Sequence, residues 1–103
     1  NPGTGKTTVA RLLGQIYKEM GLLSSGHVVL EERKNLIGRY YDSEGQAVDN
    51  ALNRAKGGIL LIDEAYNLYV ENDDKDPGRR ILEYLLTALA DENNRDWMLI
   101  LAG

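Results

Sequence analysis

The first eight residues of the chain, NPGTGKTT, combine two glycines with a lysine and adjacent hydroxyl residues. They match all but the first residue of the phosphate-binding pattern G-x-x-x-x-G-K-[ST]. Gly3 and Gly5 would let successive backbone N–H groups turn toward an anion. Lys6 would reach the β- and γ-phosphates of a nucleotide, and Thr7 would offer its hydroxyl to Mg²⁺. The alternative is a glycine-rich turn that merely precedes an ordinary helix.

A second group of chemically capable residues ends the segment ILLIDE. Its four branched aliphatic residues predict a strand buried on both faces, as in a parallel sheet. Asp63 and Glu64 would then lie at the carboxyl end of that strand, where ligands bind in open α/β sheets. Asp63 could hold Mg²⁺, and Glu64 could act as the general base that activates water. A strand that ends in Asp-Glu is weak evidence alone, but paired with the phosphate motif, 57 residues after Lys6, it strongly predicts a nucleotide site.

These two motifs define the predicted site. Glu64 and Lys6 are the expected catalytic residues, and Thr7 and Asp63 are the expected metal ligands. The residues expected to bind the nucleotide are Asn1, Pro2, Gly3, Thr4, Gly5, Lys6, Thr7, Thr8 and Asp63. The segment DSEG fits the D-x-x-G pattern of GTPases, but it follows RYY rather than an apolar strand, and no N-K-x-D motif is present. We therefore discount a GTPase and expect a nucleotide with Mg²⁺ at this site.

The periodicity of apolar residues predicts the elements that position these motifs. A helix is predicted over 6–20, with an apolar stripe at every third or fourth residue, and strands are predicted at 27–32, 59–62 and 97–101. RKNLIGRYYDSEG is interpreted as a loop. Further helices are predicted from near Ser43 to Ala55 and from Pro77 to Ala90, the latter with Asp76 as its N-cap. Alternating helices and strands indicate an α/β fold with a mostly parallel sheet.

The composition limits the possible partners and locations. A chain of 103 residues with 43% apolar residues is one small domain with a packed core. The net charge of −4 gives no support to a nucleic-acid partner, and the lack of cysteine excludes a disulfide framework. No signal peptide is visible, and no apolar run approaches the roughly 20 residues of a membrane span. We therefore expect a cytoplasmic protein with no membrane segment.

The motifs together resemble one branch of the AAA+ ATPases, which contains stage V sporulation protein K, red-type rubisco activases and type VII secretion ATPases. The similar segments are NPGTGKTTVARLLGQIYKEMGLLSSGHVV, LIGRYY, AKGGILLIDEAYNLY and WMLILAG. The resemblance implies a three-layer P-loop NTPase core of strand order 5-1-4-3-2. It also implies a hexameric ring that remodels a partner protein gripped by an aromatic pore loop. Tyr40 falls at the aromatic position of that loop, with Tyr41 beside it.

The resemblance also implies that residues 1–103 are part of a larger nucleotide-binding domain, from the phosphate loop to the fourth strand. The first strand, the fifth strand and the helical lid of the family would then be missing, and the fragment alone is expected to be inactive. Two functions remain open at this point. One is an ATP-hydrolysing remodelling enzyme, which the intact Glu64 favours. The other is an ATP-binding switch or assembly module with little hydrolysis.

Overall fold

The computed structural model describes residues 4–43, 46–65, 77–93 and 95–103. Four helices and three strands follow one another within these ranges. No helix among them is long and apolar enough to cross a membrane. In chain order the elements are α1 (Thr4–Glu19), β1 (Val28–Glu32), α2 (Arg33–Ser43), α3 (Gln46–Ala55), β2 (Ile59–Asp63), α4 (Pro77–Ala90) and β3 (Met98–Leu101).

The three strands form one parallel sheet in the order β1-β2-β3. β2 lies in the middle, and all five of its residues are buried. Its backbone pairs in register with both neighbours, with Leu60 opposite Val29 on one side and Leu99 on the other. The predicted α/β class with a parallel sheet is confirmed, and so is the prediction that β2 is buried on both faces.

Helices cover the two faces of the sheet. Because side chains alternate along a strand, Leu60 and Ile62 face one way and Ile59 and Leu61 face the other. Leu60 and Ile62 belong to the main core cluster with α2, α3 and α4, whereas Leu61 borders α1. The predicted three layers are therefore present. The apolar stripe predicted for α3 is buried throughout: Ala47, Val48, Ala51, Leu52 and Ala55.

The segment predicted as a loop from residue 33 onward is instead the helix α2, and that prediction was wrong for residues 33–43. Its apolar content is low, so the sequence shows little helical periodicity. The helix is stabilised by packing, because Leu36 is fully buried in the core cluster and Ile37 packs against it. Tertiary contacts have thus overridden a weak local preference.

The stripe predicted for α1 is only partly the buried face. Ala10 and Gly14 are buried, while four large apolar residues of the helix and of the turn that follows it are exposed: Val9, Leu12, Ile16 and Met20. At Gly14 the backbone of α1 touches the backbone of Gly26, and a Cβ on either glycine would overlap the other residue's carbonyl group. Gly26 also has a φ of +77°, a conformation that glycine adopts readily. The small residues let α1 approach the chain closely.

Backbone and side-chain hydrogen bonds join the segments that precede the three strands, and we call this group the amino-end clasp. It consists of Ser24, Ser25, Gly26, Gly57 and Asp96. The N–H groups of Ser25 and Gly26 donate to the carbonyl of Gly57 at 2.8 and 2.7 Å, and the Gly57 N–H donates to the carbonyl of Asp96. The Asp96 carboxylate accepts from the Ser24 N–H at 2.9 Å and from its hydroxyl at 2.6 Å. The amino ends of the sheet are thereby fastened together.

Candidate functional site

The candidate site lies at the opposite, carboxyl end of the sheet. There Lys6, in the first turn of α1, meets Asp63, the last residue of β2. The Lys6 Nζ lies 3.1 Å from Asp63 Oδ1, although the two residues are 57 positions apart in the chain. Lys6 also donates a hydrogen bond to the backbone carbonyl of Gly103. The structure therefore brings the two predicted motifs into direct contact.

The electrostatics of Asp63 favour a carboxylate at neutral pH. The hydrogen bond from Lys6 lowers the pKa of Asp63 below its usual value, and the hydrogen bond from the Glu64 N–H lowers it further, against a smaller opposing effect of burial. The residue is only 3% exposed. A buried carboxylate that stays ionised is a suitable ligand for a hard cation such as Mg²⁺.

Glu64 lies in a bulge at the end of β2. Its φ is +57°, the only positive value found for a non-glycine residue in the described part of the chain. The N–H of Ala102 donates to the Ile62 carbonyl at 2.9 Å, and the Ala102 carbonyl accepts from the Ala65 N–H at 2.8 Å. Two residues, Asp63 and Glu64, thus face the single residue Ala102, which defines a β-bulge. Bulges next to active sites redirect side chains, and here the redirected residue is the predicted general base.

The remaining predicted residues of the phosphate motif belong to the start of α1 or precede it. Asn1, Pro2 and Gly3 lie outside the described residues. α1 begins at Thr4, so Gly5 is helical rather than part of a loop. Thr7 is half-buried and Thr8 is exposed. A helix N-terminus carries partial positive charge, so the beginning of α1 and the Lys6 ammonium together present positive charge beside Asp63.

The two tyrosines predicted for a pore loop are in a different setting from the one expected. The backbone of Tyr40 and Tyr41 lies in the last turns of α2, and their side chains fall outside what the structure describes. Neither residue is thereby tested as a contact for a partner protein. Their assignment to a pore loop stays a prediction.

Sequence reasoning missed two backbone contributors to the site, Ala102 and Gly103. Ala102 forms the bulge partner of Asp63 and Glu64, and the Gly103 carbonyl accepts from Lys6. Both act through main-chain atoms, which leave no signature in residue types.

An apolar groove lined by Val9, Leu13 and Ile100 adjoins Lys6.

The donor set fits a magnesium nucleotide. Lys6 supplies an ammonium group and α1 supplies helix N–H groups, both of which suit phosphate oxygens. Asp63 supplies a buried carboxylate and Thr7 a hydroxyl, both of which suit Mg²⁺. The Lys6 ammonium already contacts Asp63 Oδ1, so its side chain reaches the place where the phosphates and Mg²⁺ would bind side by side.

Comparison with known proteins agrees with this description. The sequence profile of the ATPase family associated with various cellular activities (AAA) matches residues 1–103. The cbbX homologue from the chloroplast of Guillardia theta is 45% identical over 99% of this chain and 27% of its own length. Stage V sporulation protein K of Bacillus subtilis is 44% identical over 100% of this chain and 31% of its own length. The chloroplast ribulose bisphosphate carboxylase/oxygenase activase of Cyanidioschyzon merolae is 44% identical over 100% of this chain and 33% of its own length.

The chain thus spans about a third or less of the length of these relatives. The match covers all of its residues, including both predicted motifs, and the parallel α/β architecture is the one expected from the resemblance. On these grounds the chain belongs to the ATPase family associated with various cellular activities, as its sequence indicated.

Proposed function

We propose that residues 1–103 are the part of an AAA nucleotide-binding domain that holds Mg·ATP and hydrolyses it, from the phosphate loop to the fourth strand of the family. The observation that carries the proposal is the contact between Lys6 and Asp63, with Glu64 following directly in a bulge. A phosphate-binding cation, a metal-binding carboxylate and a second carboxylate are then neighbours at one end of the sheet. This is the donor set that nucleotide hydrolysis requires.

Each side chain has a separate role in this proposal. Lys6 and the N–H groups at the start of α1 bind the phosphates of ATP. For this the Lys6 ammonium must either leave Asp63 or contact Asp63 and a phosphate oxygen at the same time. Thr7 and Asp63 hold Mg²⁺, which when bound would neutralise charge on the phosphate oxygens. Glu64 takes the proton of the attacking water as general base. Asp63 is buried at the end of β2, beside Lys6.

The proposed action of the whole protein is the remodelling of a partner protein by a hexameric ring. The family membership supports an ATPase, and one relative is named as an activase of another enzyme, ribulose bisphosphate carboxylase/oxygenase. Tyr40 and Tyr41 are proposed to contact the partner protein, because the resemblance places them at the aromatic position of the family's pore loop. Their backbone belongs to the last turns of α2 (Arg33–Ser43), which precedes α3 in the chain.

The test separates nucleotide binding from hydrolysis in the full-length protein. Lys6→Ala should weaken ATP binding, whereas Glu64→Gln should preserve binding and abolish turnover, since only the latter removes the proton acceptor. Fluorescent-nucleotide titration measures binding, and phosphate release measures turnover. Matched controls come from the last turn of α1, far from the site: Lys18→Ala and Glu19→Gln should leave both measurements unchanged.

Two outcomes would contradict the proposal. If Glu64→Gln hydrolysed ATP at the rate of the unsubstituted protein, Glu64 would not be the general base. If the unsubstituted protein bound ATP but released no phosphate, alone or with its partner, the alternative function of an ATP-binding switch would replace hydrolysis.

A further inference from the structure

The Glu64 amide has an unusual hydrogen-bond partner. In a regular parallel ladder, the pairing of Ala102 would direct the Glu64 N–H to the Ala102 carbonyl. The bulge gives that carbonyl to the Ala65 N–H instead, at 2.8 Å. The Glu64 N–H donates to Asp63 Oδ1, at 2.9 Å. The carboxylate of Asp63 therefore takes the place of a backbone acceptor at the residue where the bulge interrupts the ladder.

We propose that Asp63, in addition to its role toward the metal, is a positioning residue that holds the Glu64 backbone in its left-handed conformation. This inference rests on the proposed function, in which Glu64 is the general base. Residues with a side chain seldom adopt a positive φ, and a glutamate has no special tendency to do so. Such a conformation persists where neighbouring contacts determine it. Within the described part of the chain, two sets of contacts determine it here: the paired hydrogen bonds of Ala102 on either side of the bulge, and the Asp63 carboxylate within it.

The same oxygen of Asp63 also accepts from Lys6, at 3.1 Å. The Lys6 ammonium and the Glu64 amide are therefore joined through a single atom. When Lys6 moves toward phosphate oxygens, the Asp63 carboxylate still has the Glu64 N–H as a donor. The backbone geometry of Glu64 would then be maintained while Lys6 exchanges Asp63 for phosphate, because the hydrogen bond from the Glu64 N–H does not depend on Lys6.

Two substitutions of Asp63 separate positioning from charge. Asp63→Asn removes the negative charge but keeps an oxygen that can accept from the Glu64 N–H. Asp63→Ala removes both. Hydrogen exchange resolved to single amides in the full-length protein, without nucleotide or Mg²⁺, reports directly on the Glu64 N–H. We expect exchange at residue 64 to become about tenfold faster or more in Asp63→Ala. In Asp63→Asn it should stay within about threefold of the unsubstituted protein, since the hydrogen bond remains.

Two controls make the result specific. Lys6→Met removes the ion pair but not the hydrogen bond within the bulge, so residue 64 should keep its slow exchange. The Ala65 amide reports whether the bulge itself survives in each variant, because its acceptor is the Ala102 carbonyl rather than a side chain. As a functional readout, the turnover rate at saturating Mg²⁺ should be about tenfold higher in Asp63→Asn than in Asp63→Ala, a partial rescue by the variant that keeps the acceptor.

Several results would overturn the inference. Unchanged exchange at residue 64 in Asp63→Ala would show that the Ala102 hydrogen bonds alone hold the bulge. Equal acceleration in Asp63→Asn and Asp63→Ala, or acceleration in Lys6→Met, would show that charge rather than the acceptor matters. If the exchange pattern were as expected but the unsubstituted protein did not hydrolyse ATP, the backbone role of Asp63 would stand and the proposed function would fall.

Discussion

Replacing Gly14 by alanine should destabilise the protein, although alanine is the better helix former. A Cβ at position 14 would lie 3.0 Å from the carbonyl carbon of Gly26, which is already tight, and so close to its oxygen that real Cβ atoms essentially never show such a contact. The obstacle is backbone, so no side-chain rotation can relieve it. Either α1 must move away from the sheet or the turn at Gly26 must shift. Gly26 is held in place by its hydrogen bond to Gly57, which resists that shift.

The magnitude follows from two opposing effects. Alanine in place of glycine inside a helix gains about 1 kcal/mol. Overpacking that forces a backbone shift costs about 1–3 kcal/mol, and a clash with a carbonyl group belongs at the upper end. We therefore expect Gly14→Ala to lower the free energy of unfolding by about 1–2 kcal/mol net. Gly38 in α2 is the matched control, because a Cβ there meets nothing within 4 Å. Gly38→Ala should raise the free energy of unfolding by about 0.5–1 kcal/mol.

The assay is chemical denaturation of the full-length protein followed by circular dichroism, with thermal midpoints as a second measure. The two variants carry the same chemical change in helices of one molecule, so their difference removes the common effect of helix propensity. We expect the denaturation midpoint of Gly14→Ala to lie below that of the unsubstituted protein and the midpoint of Gly38→Ala to lie above it. If Gly14→Ala were as stable as Gly38→Ala, the close approach of α1 to Gly26 would not exist in solution, and the argument would be refuted.

Three further predictions concern other parts of the molecule. The pKa of Asp96 is lowered by hydrogen bonds from the hydroxyl and N–H of Ser24. Its contribution to stability is therefore present above about pH 4 and is lost as the pH falls through the lowered pKa. The difference in free energy of unfolding between the unsubstituted protein and Asp96→Ala, measured by urea denaturation, should therefore decrease from pH 7 to pH 3. A difference that did not change with pH would contradict this. Leu36→Ala should cost about 2–5 kcal/mol in the same denaturation assay, because Leu36 is fully buried, and a loss under about 0.5 kcal/mol would mean that α2 does not pack on the core. Tyr40→Ala should leave basal ATP hydrolysis intact while remodelling of the partner protein fails; loss of both activities with unchanged folding would reassign Tyr40 to packing.

The elements with strong periodicity were predictable from sequence. The five apolar residues of α3 recur at helical spacing, and all are buried. β2 was predicted as a strand buried on both faces because four consecutive aliphatic residues follow two glycines, and the structure places it in the middle of the sheet. The contact between Lys6 and Asp63 was implicit in the two motifs, since a phosphate loop and an acidic strand end meet at one edge of such a sheet.

Other features depend on tertiary contacts that no local pattern encodes. The segment of α2, with its two adjacent tyrosines, was predicted as a loop, whereas it is a helix whose Leu36 is buried in the core cluster. For α1, the prediction followed the large apolar residues, whereas the buried face is formed by Ala10 and Gly14. Small residues allow two backbones to approach closely, but they contribute little to the apolar periodicity from which a buried helix face is predicted.

The bulge at Glu64 could not have been predicted either. It depends on which main-chain groups of Ala102 pair with β2, and residue types do not specify that pairing. A glutamate at a positive φ also runs against residue preference, which would favour glycine or asparagine there. Departures of this kind from local preference are expected where function, rather than folding, determines the conformation.

The amino-end clasp has a mechanical consequence for the site at the other end of the sheet. α1 is held near Gly14 by its contact with Gly26, a member of the clasp, so this part of the helix would act as a pivot. Lys6 lies eight residues away toward the helix N-terminus, a lever arm of about 12 Å at 1.5 Å per residue. A rotation of about 5° around such a pivot displaces the Lys6 end by about 1 Å. A tilt too small to disturb the core would therefore suffice to make or break the ion pair with Asp63.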